Sequence, residues 1–133
     1  MSEFSVYFDE QHRCLRGKFK GKLTVLSLSD YVKEVQKKAA QGNKRLVSDF
    51  TETELDISTI EIIGIPEMLA SMGLDETWKR AIVLTRKIDD FELYSVLANN
   101  KGYTVRTFVD MDAALAWLSE DRDVSPRANP KPA

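Results

Sequence analysis

The feature that most constrains the fold is the apolar run AIVL at positions 81–84. A short, unbroken apolar run is typical of a strand covered on both faces, as strands are in a parallel sheet. Around this run, strand and helix patterns follow in the order β-β-α-β-α-β-α-β-α. Such alternation predicts helices packed on a mostly parallel sheet with right-handed crossovers. We therefore expect an α/β fold: a single mixed, mostly parallel five-stranded sheet, opened by a β-hairpin, with four helices.

The first two strand patterns predict the hairpin. In the first, Phe4, Val6 and Phe8 alternate with polar residues, and a turn follows at positions 9–12. One side of the second strand is apolar or small and consists of Leu15, Gly17, Phe19, Gly21 and Leu23. The other side is a basic row of Arg16, Lys18, Lys20 and Lys22. We interpret this row as a solvated face or a charged sheet edge, with a docking surface for an acidic partner as the alternative.

Polar residues before each helical pattern predict where the helices begin. Ser27 with Asp30 is expected to cap the first helix, which Gly42 should end. Asp89 or Asp90 is expected to cap the third helix, which should end at positions 100–102. Asp110 is expected to cap the fourth. Strands are predicted at 44–50 and 103–108.

Composition predicts one domain at 1–119, because 133 residues suffice for one hydrophobic core. Residues 120–133 hold three of the four prolines and a single aliphatic side chain, Val124. Such a segment buries too little apolar surface to order itself, so we expect a disordered C-terminal tail.

Several function classes are disfavoured by residue content. No apolar run approaches the roughly 20 residues that span a bilayer, and the N-terminus lacks a signal-peptide pattern. The lone Cys14 cannot form an internal disulfide, which fits a cytoplasmic location. His12 is the single histidine, so we expect no zinc site, no catalytic residues, no cofactor and no enzymatic activity. A net charge of −2 without a basic domain argues against nucleic-acid binding.

The stretch 49–73 carries the candidate site. Ser58 and Glu61 have the spacing of a capping box, flanked by Ile57 and Ile62 as a hydrophobic staple. Gly73 is the expected end of this helix. Pro66 lies within it, which predicts a kink or a shortened first half.

Acidic residues crowd the segment that leads into this helix, which we interpret as a loop after a strand that ends near Phe50. The cluster consists of Asp49, Glu52, Glu54, Asp56 and Glu61. Mg²⁺ held by one or two carboxylates is one interpretation. No EF-hand pattern is present, so a solvated acidic loop without metal is favoured. A receiver domain would use Asp49 but needs a lysine after the last strand, where none occurs.

Three stretches together resemble one known family. They are LRGKFKGKLT at 15–24, RLVSDFTETELDIST at 45–59 and VRTFVDMDAALAWL at 105–118. Their order and spacing are similar to those of the SpoIIAA-like or STAS family, the bacterial anti-sigma-factor antagonists and their relatives. The resemblance covers about residues 4–118. The DIST sequence departs from the family's Asp-Ser-Ser-Gly pattern.

The resemblance implies a non-enzymatic regulatory module that docks a protein partner through the 49–73 loop and helix. In the family, a Ser or Thr at this helix start is phosphorylated by a kinase that is itself the anti-sigma factor. The positions carried over are Ser58 and then Thr59, and the five acidic residues would contact the partner. The simpler role of Ser58 is that of a helix cap. The alternative function is binding of a small apolar ligand or nucleotide. Its pocket, or a homodimer face, would then use Ile60, Ile63, Ile65 and Met68.

Overall fold

A mixed sheet with helices on both faces forms the structure, a computed structural model that describes residues 2–39 and 43–120. The elements are β1 (Glu3–Asp9), β2 (Cys14–Leu23), α1 (Val25–Lys38), β3 (Arg45–Leu55), α2 (Thr59–Ser71), β4 (Lys79–Val83), α3 (Asp89–Asn100), β5 (Thr104–Phe108) and α4 (Met111–Ser119). The five strands lie in the order β1-β2-β3-β4-β5. β1 is antiparallel to β2 and the other neighbours are parallel. The predicted fold class is confirmed. The predicted tail, apart from Glu120, lies outside the described residues.

Strand β4 is buried along its whole length, as the apolar run predicts. Ile82 belongs to the larger core cluster, which includes residues of α1, α2 and α3. Ala81 and Val83 point the other way, into a smaller cluster with Val47 and residues of α4. The sheet therefore has helices packed on both faces at its centre. No helix among the described residues has the length and apolar character needed to cross a membrane.

Two of the predicted helix caps are wrong. The α1 cap is Thr24, whose hydroxyl accepts a hydrogen bond from the backbone N–H of Ser27 at 3.1 Å. Ser27 reciprocates by accepting from the Thr24 N–H at 2.8 Å, so Ser27 and Asp30 lie inside the helix. The predicted stop, Gly42, lies outside the described residues. Helix α3 begins after Ile88 without a side-chain cap, and Asp89 and Asp90 occupy its first turn.

The other two helix signals are confirmed. Asp110 caps α4 by accepting a hydrogen bond from the N–H of Asp112 at 3.1 Å. Gly102 follows α3 with a φ of 95°, a conformation that favours glycine.

One glycine of β2 makes room for the core. A Cβ at Gly17 would overlap the hydroxyl of Tyr31, a buried α1 residue. That hydroxyl shares a 2.8 Å hydrogen bond with the Ser48 hydroxyl of β3. Gly17 therefore allows α1 to pack closely on the sheet.

Strand β3 is longer than predicted and ends at Leu55 rather than near Phe50. Its last residues pair with β2 in parallel, Glu52 with Lys20 and Glu54 with Lys22, after a register shift between Lys18 and Lys20. The predicted acidic loop is therefore mostly strand. Because β2 lies between β1 and β3, the interpretation of its basic row as a sheet edge is also wrong.

Candidate functional site

The start of α2 has the capping geometry that its sequence predicts. The Ser58 hydroxyl accepts a hydrogen bond from the Glu61 N–H at 3.1 Å. The Glu61 carboxylate accepts from the Ser58 N–H at 2.8 Å. Ile57 and Ile62 are both buried in the larger core cluster. Ser58 and Thr59 themselves are exposed, so the two predicted phosphoacceptors lie on an accessible surface.

Helix α2 runs through Pro66, and a glycine follows its C-cap. It spans Thr59–Ser71 without interruption, so the predicted shortening of its first half is wrong. Gly73, with a φ of 102°, follows the C-cap as predicted. The N–H groups of Gly73 and Leu74 donate to the carbonyls of Ala70 and Leu69, at 3.0 and 2.9 Å. This is the Schellman arrangement, which satisfies the last carbonyls of the helix.

Helix α2 has apolar side chains on two opposite faces. Its inner face packs on the core through Ile62, Ile65, Pro66 and Leu69. Its outer face begins with Ile60, Ile63 and Gly64, at the i, i+3, i+4 spacing of one helical stripe, and continues through the exposed Glu67 and Ser71. Ile60 is 82% exposed and Ile63 is 55% exposed, and a Cβ at Gly64 would meet no atom within 4 Å. The exposed isoleucines therefore form an apolar patch in the first half of the outer face.

The residues proposed for a ligand pocket or dimer face divide between these two faces. Ile60 and Ile63 point outward, whereas Ile65 is buried and Met68 is half-buried against the core. These four side chains therefore do not line one common pocket.

The basic row of β2 neutralises part of the acidic cluster. Lys18 Nζ lies 2.9 Å from a Glu52 carboxylate oxygen and 3.5 Å from an Asp49 carboxylate oxygen. Lys20 Nζ lies 3.8 Å from the other Glu52 oxygen. Sequence reasoning missed this pairing because the lysines precede their partners by about 30 residues and a parallel strand brings them together.

The pKa values of these two carboxyl groups follow from the pairing. Burial alone would raise the pKa of Asp49, but hydrogen bonds from Thr51 and the Lys18 ammonium outweigh it and leave the pKa lowered. The Thr51 N–H and hydroxyl lie 2.9 and 2.6 Å from the same Asp49 oxygen. The hydrogen bond from Lys18 lowers the pKa of Glu52. Both groups are therefore ionised at neutral pH and already have a cationic neighbour.

Three carboxylates of the cluster remain exposed around the start of α2. Glu54 and Asp56 precede the helix and Glu61 lies in its first turn. The Asp56 N–H donates to the Leu23 carbonyl at 2.8 Å, which fixes the chain between β3 and α2 to the end of β2. Among the described residues no group of three or more potential ligands has the geometry of a metal site.

A second feature is a cavity of about 60 Å³ between the sheet and helices α1, α2 and α3, and of the four residues proposed for a ligand pocket only Ile65 is among the described residues that line it. Arg80 and Tyr94 contribute polar groups to its otherwise mostly apolar wall. Arg80 directly precedes the apolar run of β4. A charged residue at this position was the signal in the sequence that could have indicated the cavity.

Comparisons with known proteins bear on the fold. No protein-family model matches the chain, and no curated protein has a significantly similar sequence. One similar crystal structure is that of an uncharacterized protein of the DUF3478 family from Shewanella loihica PV-4, described as having a SpoIIAA-like fold. It matches with a TM-score of 0.58 over 88% of this chain and 93% of its own, at 20% sequence identity. The fold is SpoIIAA-like. The predicted resemblance is confirmed at the level of the fold.

Within this SpoIIAA-like fold, the predicted site residues fall into two groups. Asp49 and Glu52 are paired with lysines on an open sheet face. Ser58, Thr59 and Glu61 surround the start of α2, beside the uncovered outer face. The docking and phosphorylation roles of these residues remain predictions.

Proposed function

We propose that this SpoIIAA-like chain is a non-enzymatic regulatory module that binds a protein partner through the outer face of α2. The observation that supports the proposal is the exposure of Ile60 and Ile63 beside Gly64 on one helical stripe. Full burial of one isoleucine side chain is worth about 1.5–3 kcal/mol. Covering both would therefore supply a substantial part of the affinity of a small interface.

The charges around this face favour a partner with basic residues at the rim of its binding surface. Glu54, Asp56 and Glu61 are exposed, and none of them forms an ion pair with a described residue. Two copies of this chain meeting face to face would place these carboxylates against one another. Like charges across an interface oppose association, so the charge pattern favours a different protein over a homodimer.

Phosphorylation of Ser58 or Thr59 is the proposed switch for this interaction. A phosphate adds about −1.5 to −2 charges at pH 7. On Ser58 it would lie beside the Glu61 carboxylate that completes the capping box. Two unit charges 4 Å apart in water repel by about 1 kcal/mol. Phosphorylation would therefore displace Glu61 and disturb the first turn of α2, which carries Ile60.

The test is a comparison of two double variants as bait in a lysate of the native host. Ile60→Ser with Ile63→Ser removes the aliphatic groups of the outer face. Leu26→Ser with Val109→Ser is the matched control, because these side chains are also exposed, at 73% and 60%, but lie in α1 and between β5 and α4. Any protein retained by wild type is then purified and titrated calorimetrically against all three baits.

We expect a partner that binds wild type and the control equally and binds the Ile60/Ile63 variant at least about tenfold more weakly, as loss of about 1.4 kcal/mol implies. Equal binding to all three, or no retained protein, contradicts the proposal. Sedimentation of the same samples detects self-association. A dimer that wild type forms and the Ile60/Ile63 variant does not form would show that the partner is a second copy of this chain and not a different protein.

A further inference from the structure

The cavity beneath α2 lies between the sheet and three helices. Its volume is about 60 Å³. Most of its wall is aliphatic or aromatic and includes Leu46, Phe50, Ile62, Leu69, Ile82 and Phe91. A void with such walls alone would be dry, as apolar cavities in proteins are.

Two polar side chains in this wall are buried. Arg80, 6% exposed, and Tyr94, 7% exposed, both line the cavity. Neither Nη2 of Arg80 nor the Tyr94 hydroxyl has a hydrogen-bond partner among the described residues. The Arg80 guanidinium carbon lies 5.8 Å from the centre of the Tyr94 ring, so the two groups are neighbours.

A buried arginine whose Nη2 has no hydrogen-bond partner among the described residues requires an explanation, because guanidinium groups are charged and carry donors only. Buried charges in proteins are paired or coordinated, and buried hydroxyls are hydrogen-bonded. Asp90 is the carboxylate among the described lining residues, and it forms no ion pair with Arg80. Nη2 of Arg80 is therefore available to donate to a group that enters the cavity.

Size and chemistry together define that group. A guanidinium beside a tyrosine ring brings together two kinds of hydrogen-bond donor that suit a carboxylate. One water needs about 10–15 Å³ of such volume, so the cavity of about 60 Å³ holds about four to six waters or a ligand of a few heavy atoms. This volume favours a short aliphatic chain over a nucleotide.

We propose that this cavity binds a small monocarboxylate with a short aliphatic chain. The carboxylate pairs with Arg80 and accepts a hydrogen bond from the Tyr94 hydroxyl, and the chain lies against Ile62 and Leu69. The proposal is independent of partner docking, because it uses the inner face of α2 and not the outer one.

The test measures thermal unfolding with acetate, butyrate or hexanoate against sodium chloride of equal ionic strength. Butanol and inorganic phosphate serve as probes that have only the chain or only the anion. We expect butyrate or hexanoate to raise the melting temperature with saturation, and butanol and phosphate to have no such effect. Isothermal titration then gives the affinity of the best carboxylate.

Three variants connect the binding to the named groups. Tyr94→Phe removes one hydroxyl with no change of shape, and we expect about tenfold weaker binding. Arg80→Met removes the charge, and we expect loss of at least about a hundredfold. Arg106→Met is the matched control, because Arg106 is exposed on the neighbouring strand β5, and its affinity should equal that of wild type.

Two results would overturn the proposal. One is the absence of saturable stabilisation of the wild type by any of the three carboxylates, which leaves water as the cavity's content. The other is unchanged affinity in Tyr94→Phe, which folds with the wild-type shape and so tests the site even if Arg80→Met does not fold.

Discussion

Replacement of Gly64 by alanine should make the protein more stable and its interaction with a partner weaker. Glycine in a helix interior costs about 0.5–1 kcal/mol relative to alanine. Gly64 lies near the middle of the 13-residue helix α2, and an added Cβ would meet no atom within 4 Å. The chain itself therefore gains nothing from the glycine.

The expected gain in the free energy of unfolding is the whole difference in helix propensity between glycine and alanine, because the substitution removes no contact. We expect Gly64→Ala to raise the free energy of unfolding by about 0.5–1 kcal/mol and the melting temperature by about 2–6 °C, as scaled for a domain of this size. Urea unfolding followed by circular dichroism measures the first quantity, and a thermal scan measures the second.

Gly102→Ala is the matched control. Gly102 also has open space around it, but its φ is 95°. An alanine there is strained by about 1–2 kcal/mol, so this variant should be less stable than wild type. Comparison of Gly64→Ala with Gly102→Ala separates the effect of backbone conformation on stability from the effect of available space.

The same variant tests the docking proposal. A methyl group at Gly64 stands between Ile60 and the next turn of the outer face, so it should hinder a partner that packs closely on this stripe. Destabilisation by Gly64→Ala would refute the reasoning about α2. Stabilisation with unchanged partner affinity would remove Gly64 from the interface.

Three further predictions concern single side chains. Ser58→Ala should lower the free energy of unfolding by about 1 kcal/mol through loss of the cap, whereas Ser58→Asp, also a good cap, should not; urea unfolding of both separates capping from charge. The pKa of Asp49 is lowered from 3.8 in the folded state, so its stabilising contribution is present above that pH and lost as pH falls through the folded pKa. The stability difference between wild type and Asp49→Asn should therefore be constant above about pH 5 and shrink below 3.8; a constant difference down to acid pH would contradict the Lys18 and Thr51 contacts. Burial raises the pKa of the Cys14 thiol to about 11, so this thiol should resist a thiol reagent at about pH 8 until denaturant is added, and rapid reaction in native buffer would show that it is accessible.

Local signals in the sequence predicted those parts of the structure that depend on neighbours along the chain. The reciprocal bonds of Ser58 and Glu61 span three residues, and the glycine after α2 is required by its positive φ. The run at 81–84 identified a strand buried on both faces without reference to any other part of the chain. These features could be predicted because the residues that cause them are close together in the sequence.

The features that sequence reasoning missed have causes far along the chain. Glutamates are poor strand formers, so a strand carrying Glu52 was not expected beyond Phe50. The ion pairs of Glu52 with Lys18 and Lys20 of β2 allow the strand to continue beyond Phe50. The cavity likewise requires β4 and α3 to place Arg80 beside Tyr94, which no spacing within either element shows.

The start of α1 differs from its predicted position for another reason. Thr24 and Ser27 are both good cap residues with the same spacing as Ser27 and Asp30. The end of β2 at Leu23 decides between them, because the first residue free to leave the strand becomes the cap. Knowledge of the strand's end was therefore needed to place the start of the helix.

The position of α4 has a consequence for biosynthesis. This helix covers Val47, Ala81 and Val83, and Lys79 joins the sheet to its end through bonds to the Trp117 and Glu120 carbonyls at 2.5 and 3.1 Å. On a ribosome β3 and β4 emerge before α4. Translation of the residues between the end of β4 and the end of α4 takes a few seconds at about 5–20 residues per second. For that interval the nascent polypeptide displays a bare aliphatic strip, the kind of surface that chaperones recognise.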